Sequence, residues 1–211
     1  MAGPAAGERV HRAVERAAAI GAECAQAMAL SRDALRAGDE LMARRVVVGD
    51  AQIDRECAAL EGEVLSILAL SGPLAGDMRR TVAVFKAISE FERAGDYAGH
   101  AARAARAGLA APMEIVKMAD EAAAMLRQAA EALAHEDAAL ARTVVARDIG
   151  VDRLCAAVRR HLEAAPDAAD GEASRWLLAS RALERAADHA VCIAQWAIYA
   201  AVGERPAVGM P

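Results

Sequence analysis

The chain has 211 residues, a formal net charge of −5 and a composition that is 56% hydrophobic yet only 3% aromatic. Ala, Leu, Arg and Glu dominate, all strong helix formers, and strand-favouring runs of Val, Ile, Tyr and Phe are nearly absent, so an all-α fold is expected. The acidic balance argues against a general nucleic-acid binder, no apolar run approaches the roughly 18 residues of a membrane span, and residues 1–9 lack the apolar core of a signal peptide, which together point to a soluble, cytoplasmic protein.

Helical periodicity begins over residues 8–37. A second helix is expected over 39–70, where Asp39 offers a carboxylate to the free amides of the first turn. Within it Ile53, Cys57, Leu60, Val64, Ile67 and Leu68 recur at three- and four-residue spacing, giving an amphipathic face. Gly72-Pro73 breaks the chain, and Asp77 is expected to cap a third helix over 77–107. Beyond a connection near 108–112 a fourth helix spans 113–134 and a fifth 136–164. A connection at 166–171 then leads to a sixth over 171–202. The six prolines fall at the chain ends or in these connections. Cys24, Cys57, Cys155 and Cys192 sit singly inside apolar helical stretches with no CxxC pair, and read as small core hydrophobes, not zinc ligands or disulfide partners.

The chain repeats itself. Shifted by 98 positions, Asp54-Arg55-Glu56-Cys57-Ala58-Ala59 meets Asp152-Arg153-Leu154-Cys155-Ala156-Ala157, and Val46-Val47-Val48-Gly49-Asp50 meets Val144-Val145-Ala146-Arg147-Asp148. Further on the shift is 92, and Glu92-Arg93-Ala94-Gly95-Asp96-Tyr97-Ala98 meets Glu184-Arg185-Ala186-Ala187-Asp188-His189-Ala190. Two tandem three-helix units follow, over 1–110 and 111–211. Short connections make consecutive helices antiparallel, so each unit is expected as an up-down-up bundle.

Four acidic pairs recur at four-residue spacing: Asp50/Asp54, Glu92/Asp96, Asp148/Asp152 and Glu184/Asp188. Residues four apart share one helix face. If the second and third helices of a unit run antiparallel, their pairs face each other and each unit carries four carboxylates. Like charges so placed repel and call for a cation, and an all-oxygen donor set selects hard ions such as Mg²⁺, Mn²⁺, Ca²⁺ or iron. One such pair alone marks only a solvated face; their recurrence at equivalent places in two diverged copies favours a metal site on each unit. Arg55/Arg153 and Arg93/Arg185 also repeat beside the carboxylates. They suit either anion binding or surface ion pairing, and ion pairing is the expected role.

At these residues the sequence resembles the PhoU family over nearly its whole length. The family's paired E(D)xxxD motifs correspond to Asp50/Asp54 with Glu92/Asp96, and to Asp148/Asp152 with Glu184/Asp188. Its LERxGD segment is similar to Phe91-Glu92-Arg93-Ala94-Gly95-Asp96, and its LERxxDH form to Leu183-Glu184-Arg185-Ala186-Ala187-Asp188-His189. Its proline followed by Asp-Leu-Arg resembles Pro73-Leu74-Ala75-Gly76-Asp77-Met78-Arg79, with Met78 in place of Leu. The chain departs from the pattern at His100 and Cys192, where the family usually carries Asn. The resemblance implies a non-enzymatic negative regulator of phosphate uptake and phosphate-starvation signalling, linking the phosphate ABC transporter ATPase subunit to a sensor histidine kinase. It further implies a homodimer, and iron, zinc, Mn or Mg ions at the eight acidic residues.

Two other readings compete. A ferritin-like di-iron carboxylate protein needs Glu-x-x-His pairs on facing helices, and Glu8/His11 is such a pair without a counterpart in the repeat. A metal-independent helical adaptor would use the acidic faces themselves to dock partners. No Gly-rich phosphate loop, nucleophile elbow or Cys/His pair is present, so catalysis is not expected.

Overall fold

A computed structural model describes residues 6–163 and 171–204. Its six helices are α1 (Ala6–Ala37), α2 (Glu40–Leu70), α3 (Ala75–Ala102), α4 (Met113–His135), α5 (Ala138–Glu163) and α6 (Glu172–Val202). The described residues contain no strand, and the all-α expectation holds. No described helix is long and apolar enough to cross a membrane.

Side-chain contacts define the directions of the helices. Arg9 near the start of α1 donates to Ser71 and Ser66 at the end of α2, so these two run antiparallel. Cys57 Sγ donates to the Ile88 carbonyl across an antiparallel α2/α3 pair. Cys24 Sγ and Ser31 Oγ donate to the Phe91 and Ala98 carbonyls, at 3.3 and 2.6 Å, across a parallel α1/α3 pair. The α4–α6 unit is built on the same plan. The two units then join along α1/α4 and α3/α6, with α2 and α5 on the outside. One continuous apolar core runs through both, with Phe91, Ile20, Met28, Leu126 and Trp176 fully buried among many alanines. Small residues let helix axes approach closely. Gly21 on α1 is the tightest point: a Cβ there would collide with Ala130 Cβ of α4 and stand 2.7 Å from Phe91 Cε1 of α3.

Helix boundaries follow local chemistry where a cap is available. Asp39 caps α2 as expected, its Oδ1 accepting from the Met42 amide at 2.9 Å. The expected start of α5 at Glu136 is corrected. Glu136 is the left-handed C-cap of α4 at φ 53°, and Asp137 Oδ1 accepts from the Ala139 and Leu140 amides. Gly38 holds the same turn before α2 at φ 63°. Glycine is needed there because a Cβ would lie 2.7 Å from the Arg106 carbonyl, whereas Glu136 has room and receives Arg80 at 2.7 Å.

The Asp77 cap is also corrected. The helix starts earlier, with extended Leu74 as N-cap and no side-chain cap bond. Asp77 lies in the first turn and pairs with Arg80 at 3.2 Å, where the positive end of the helix dipole still favours it. At its other end α3 stops at Ala102, short of 107. The chain turns because tertiary bonds take over: Glu40 Oε1 accepts from the Ala107 amide and the Leu35 carbonyl from the Ala111 amide. Pro73 and Pro112 stand at helix boundaries. Pro4, Pro166, Pro206 and Pro211, and the expected connection at 166–170, lie outside the described residues.

Candidate functional site

The antiparallel register of α2 and α3 brings the first two acidic pairs together. Asp50 lies against Gly95 and beside Asp96, and one turn along, Asp54 and Glu92 flank the buried Cys57 thiol. Gly95 makes this approach feasible, since a Cβ there would meet Asp50 Oδ1 at 2.9 Å and Ile53 Cδ1 at 3.2 Å. Asp50 is half-buried, while Asp54, Glu92 and Asp96 are exposed. Its Oδ1 is the one buried side-chain oxygen among the described residues with no hydrogen-bond partner. Desolvation, then repulsion from Asp96 and Asp54, pushes the Asp50 carboxyl up to about 6. Protonated, it can share its hydrogen with Asp96; ionised, it is orphaned.

The second unit gathers its four carboxylates between α5 and α6 in the same way, with different neighbours. Asp148, Glu184 and Asp188 are half-buried and Asp152 is exposed. Burial first and Asp148 second push Asp188 up to about 6, against the pull of Arg185 and His189. Burial, followed by Asp152 and Glu184, also raises Asp148. Ala187 stands here where the first unit has Gly95. Arg185 pairs with Asp188 at 3.4 Å.

The other repeated arginines are less uniform than expected. Arg55 donates to Gln52 at 2.6 Å instead of to a carboxylate. Arg93 and Arg153 have no ion pair among the described residues. The four cysteines are free thiols; Cys24, Cys57 and Cys155 are buried, and Cys192 is half-buried. Near the carboxylates burial lifts Cys57 to about 12 and Cys192 to about 11.

As a donor set, Asp50, Asp54, Glu92 and Asp96 fit a hard cation in chemistry and in charge. The orphaned Asp50 oxygen lacks the partner such an ion would supply. The side chains are gathered without forming a cage: among the described residues no three His, Cys, Asp or Glu groups stand as a ready-made metal site.

Two ties escaped the sequence reading. His189 Nδ1 lies 2.7 Å from Glu90 Oε2, joining α6 to α3 between the two carboxylate clusters, and its ring stacks on Tyr97. Tyr97 also meets His100 edge-on. Arg147, next to Asp148, donates to both carboxylate oxygens of Glu121 at 2.6 and 2.9 Å and to Gln128 at 2.7 Å, pinning α5 to α4. Neither tie has a periodic signature, because each joins helices through residues far apart in sequence. In the Glu8/His11 spacing, His11 pairs with Glu15 at 3.3 Å on the exposed side of α1.

The same helical arrangement is found in known proteins. The PhoU domain matches twice, over residues 18–105 and 115–197. An uncharacterised protein of Deinococcus radiodurans is 40% identical over 167 residues, covering 75% of this chain and 73% of that one. A protein of Pseudomonas putida named as a phosphate-specific transport system accessory protein PhoU homologue is 32% identical over 175 residues, covering 79% of this chain and 68% of its own. The crystal structure of PhoU from Pseudomonas aeruginosa superposes with a TM-score of 0.87 at 28% identity, over 93% of this chain and 99% of that one. With both matches falling on the two three-helix units and both carboxylate clusters inside them, the chain belongs to the PhoU family.

Proposed function

We propose that this protein is a cytoplasmic, non-enzymatic accessory regulator of phosphate transport that represses the phosphate-starvation response. In this reading it works as a homodimer and couples the ATPase subunit of a phosphate ABC transporter to a sensor histidine kinase. Relatives are named as accessory proteins of phosphate-specific transport, which supports the assignment. The observation that carries the mechanistic part is the recurrence of a four-carboxylate cluster, with at least one half-buried member, at the α2/α3 and α5/α6 seams. Asp50, Asp54, Glu92 and Asp96 would hold a hard cation in the first unit, and Asp148, Asp152, Glu184 and Asp188 in the second. The ion would offset carboxylate repulsion and give Asp50 Oδ1 its missing partner.

The test is elemental analysis of the purified protein beside a variant carrying Asp50→Asn, Asp54→Asn, Glu92→Gln and Asp96→Asn. Metal content should fall by about half in the variant, as expected for two equivalent sites. Absence of metal from both proteins, even after incubation with Fe²⁺, Mn²⁺ and Zn²⁺, refutes the cation. The second reading, a metal-independent adaptor, is favoured by the lack of a ready-made cage among the described residues. It requires that association with the transporter ATPase subunit be indifferent to chelator.

A further inference from the structure

A cleft of about 640 Å³ opens where α2, the α3–α4 connection and the start of α6 meet. Its chemistry is opposite to that of the carboxylate clusters. Arg44 enters from α2, Arg103 and Arg106 from the connection, and Arg175 from the first turn of α6. Among the described residues none of these four guanidiniums makes an ion pair. The acidic group lining the cleft, Glu40, is occupied in part by the Ala107 amide. A second hollow of about 300 Å³ shares Arg103 and Arg175 and reaches Gly171 and Ser174 at the α6 N-terminus. Among the described residues no side chain caps that terminus, so its first-turn amides and the helix dipole add to the positive field.

We propose that this cleft binds a small soluble molecule carrying two or more phosphoryl groups, held by Arg44, Arg103, Arg106 and Arg175. Guanidinium groups recognise phosphoryl oxygens in bidentate fashion, and the four positive charges gathered here exceed the roughly −1.5 to −2 that one phosphate carries. The volume lies in the range of small-ligand sites, and the apolar wall formed by Val47 and Val48 suits the uncharged part of such a molecule. In a chain of net charge −5, such convergence is not a general surface property.

The internal repeat supplies a control. At the corresponding places of the second unit stand Gln195 for Arg103 and Ile198 for Arg106, and Arg142, the counterpart of Arg44, is tied to Glu204 at 3.0 Å. The fold therefore does not require these arginines, and the second unit does not repeat the cluster. A sequence scan for phosphate loops misses it because its cations come from three separate segments.

Calorimetric titration with pyrophosphate and with adenosine triphosphate, in chelator and at near-physiological salt, tests the proposal independently of any metal at the carboxylates. Saturable binding of one molecule per chain is expected, tighter than binding of inorganic phosphate or citrate. Arg103→Ala should weaken it about tenfold or more, since hydrogen bonds to charged groups are the strong ones, and Arg103→Ala with Arg175→Ala should weaken it further. Arg142→Ala should leave it unchanged. Arg44, Arg103 and Arg106 are exposed and Arg175 half-buried, so the variants should keep parental helicity by circular dichroism. The proposal fails if neither probe saturates up to low millimolar concentration, or if citrate binds as tightly. It fails too if Arg142→Ala loses as much affinity as Arg103→Ala. Binding confined to anionic phospholipid vesicles overturns it in favour of a lipid headgroup.

Discussion

Replacing Asp50 with Asn removes the charge from the most strained carboxylate of the first unit while keeping its shape. In the folded protein this group titrates at about 6 in place of its ordinary 3.8. The fold thus holds the proton more tightly than the unfolded chain, and the contribution of this group to stability is fully present below pH 4 and is lost as pH rises through about 6. About two pH units of difference correspond to roughly 3 kcal/mol at full burial. Asp50 is only half-buried, and solvent screening reduces this to about 1–2 kcal/mol. In metal-stripped protein at pH 7.5, Asp50→Asn should be more stable by that amount, a rise of about 3–6 °C in Tm for a domain of this size. The gain should vanish near pH 4, where parent and variant are both neutral at this position. Urea and thermal melts of both proteins from pH 4 to 8 provide the measurement. A variant that is less stable at pH 7.5, or whose gain is the same at every pH, would show that Asp50 is not the penalised charge.

Other expectations rest on packing, capping and burial. Gly21→Ala forces a methyl group into Ala130 and Phe91 at the α1/α4 seam. Overpacking of about 1–3 kcal/mol equals or exceeds a helix-propensity gain near 1 kcal/mol, so the midpoint of chemical denaturation should fall, and an increase would contradict the close approach. Asp39→Ala frees the Met42 amide and should cost about 1 kcal/mol in the same assay; no change would mean that water replaces the cap without loss. Cys24 and Cys57 are buried and their thiols are raised well above neutral pH. In native protein they should resist iodoacetamide at pH 7.5 and react only after unfolding, and rapid native labelling seen by mass spectrometry would count against their place in the core.

Much of the architecture was legible without coordinates because helices carry their signature locally. Ala-rich composition and three- and four-residue apolar spacing placed all six helices, and duplication singled out Asp50/Asp54, Glu92/Asp96 and their partners in the second half. The errors came at ends governed by distant groups. Residues 103–107 have good helix propensity, yet Glu40 and Leu35 draw the following connection onto α1 and α2, and tertiary bonds override propensity. Likewise Asp77 has the chemistry of a cap but lies inside a helix that begins at Ala75.

The helical class, the internal repeat and the eight acidic positions are written in the chain, since each is a matter of composition or short-range spacing. Tertiary structure alone decided which carboxylate carries the strain. Asp50 and Asp96 are 46 positions apart in the chain, and their coupling depends on the α2/α3 register and the missing Cβ at Gly95. It also decided that four arginines from three segments share one cleft. Charge interactions act through space, and only packing specifies which charges become neighbours.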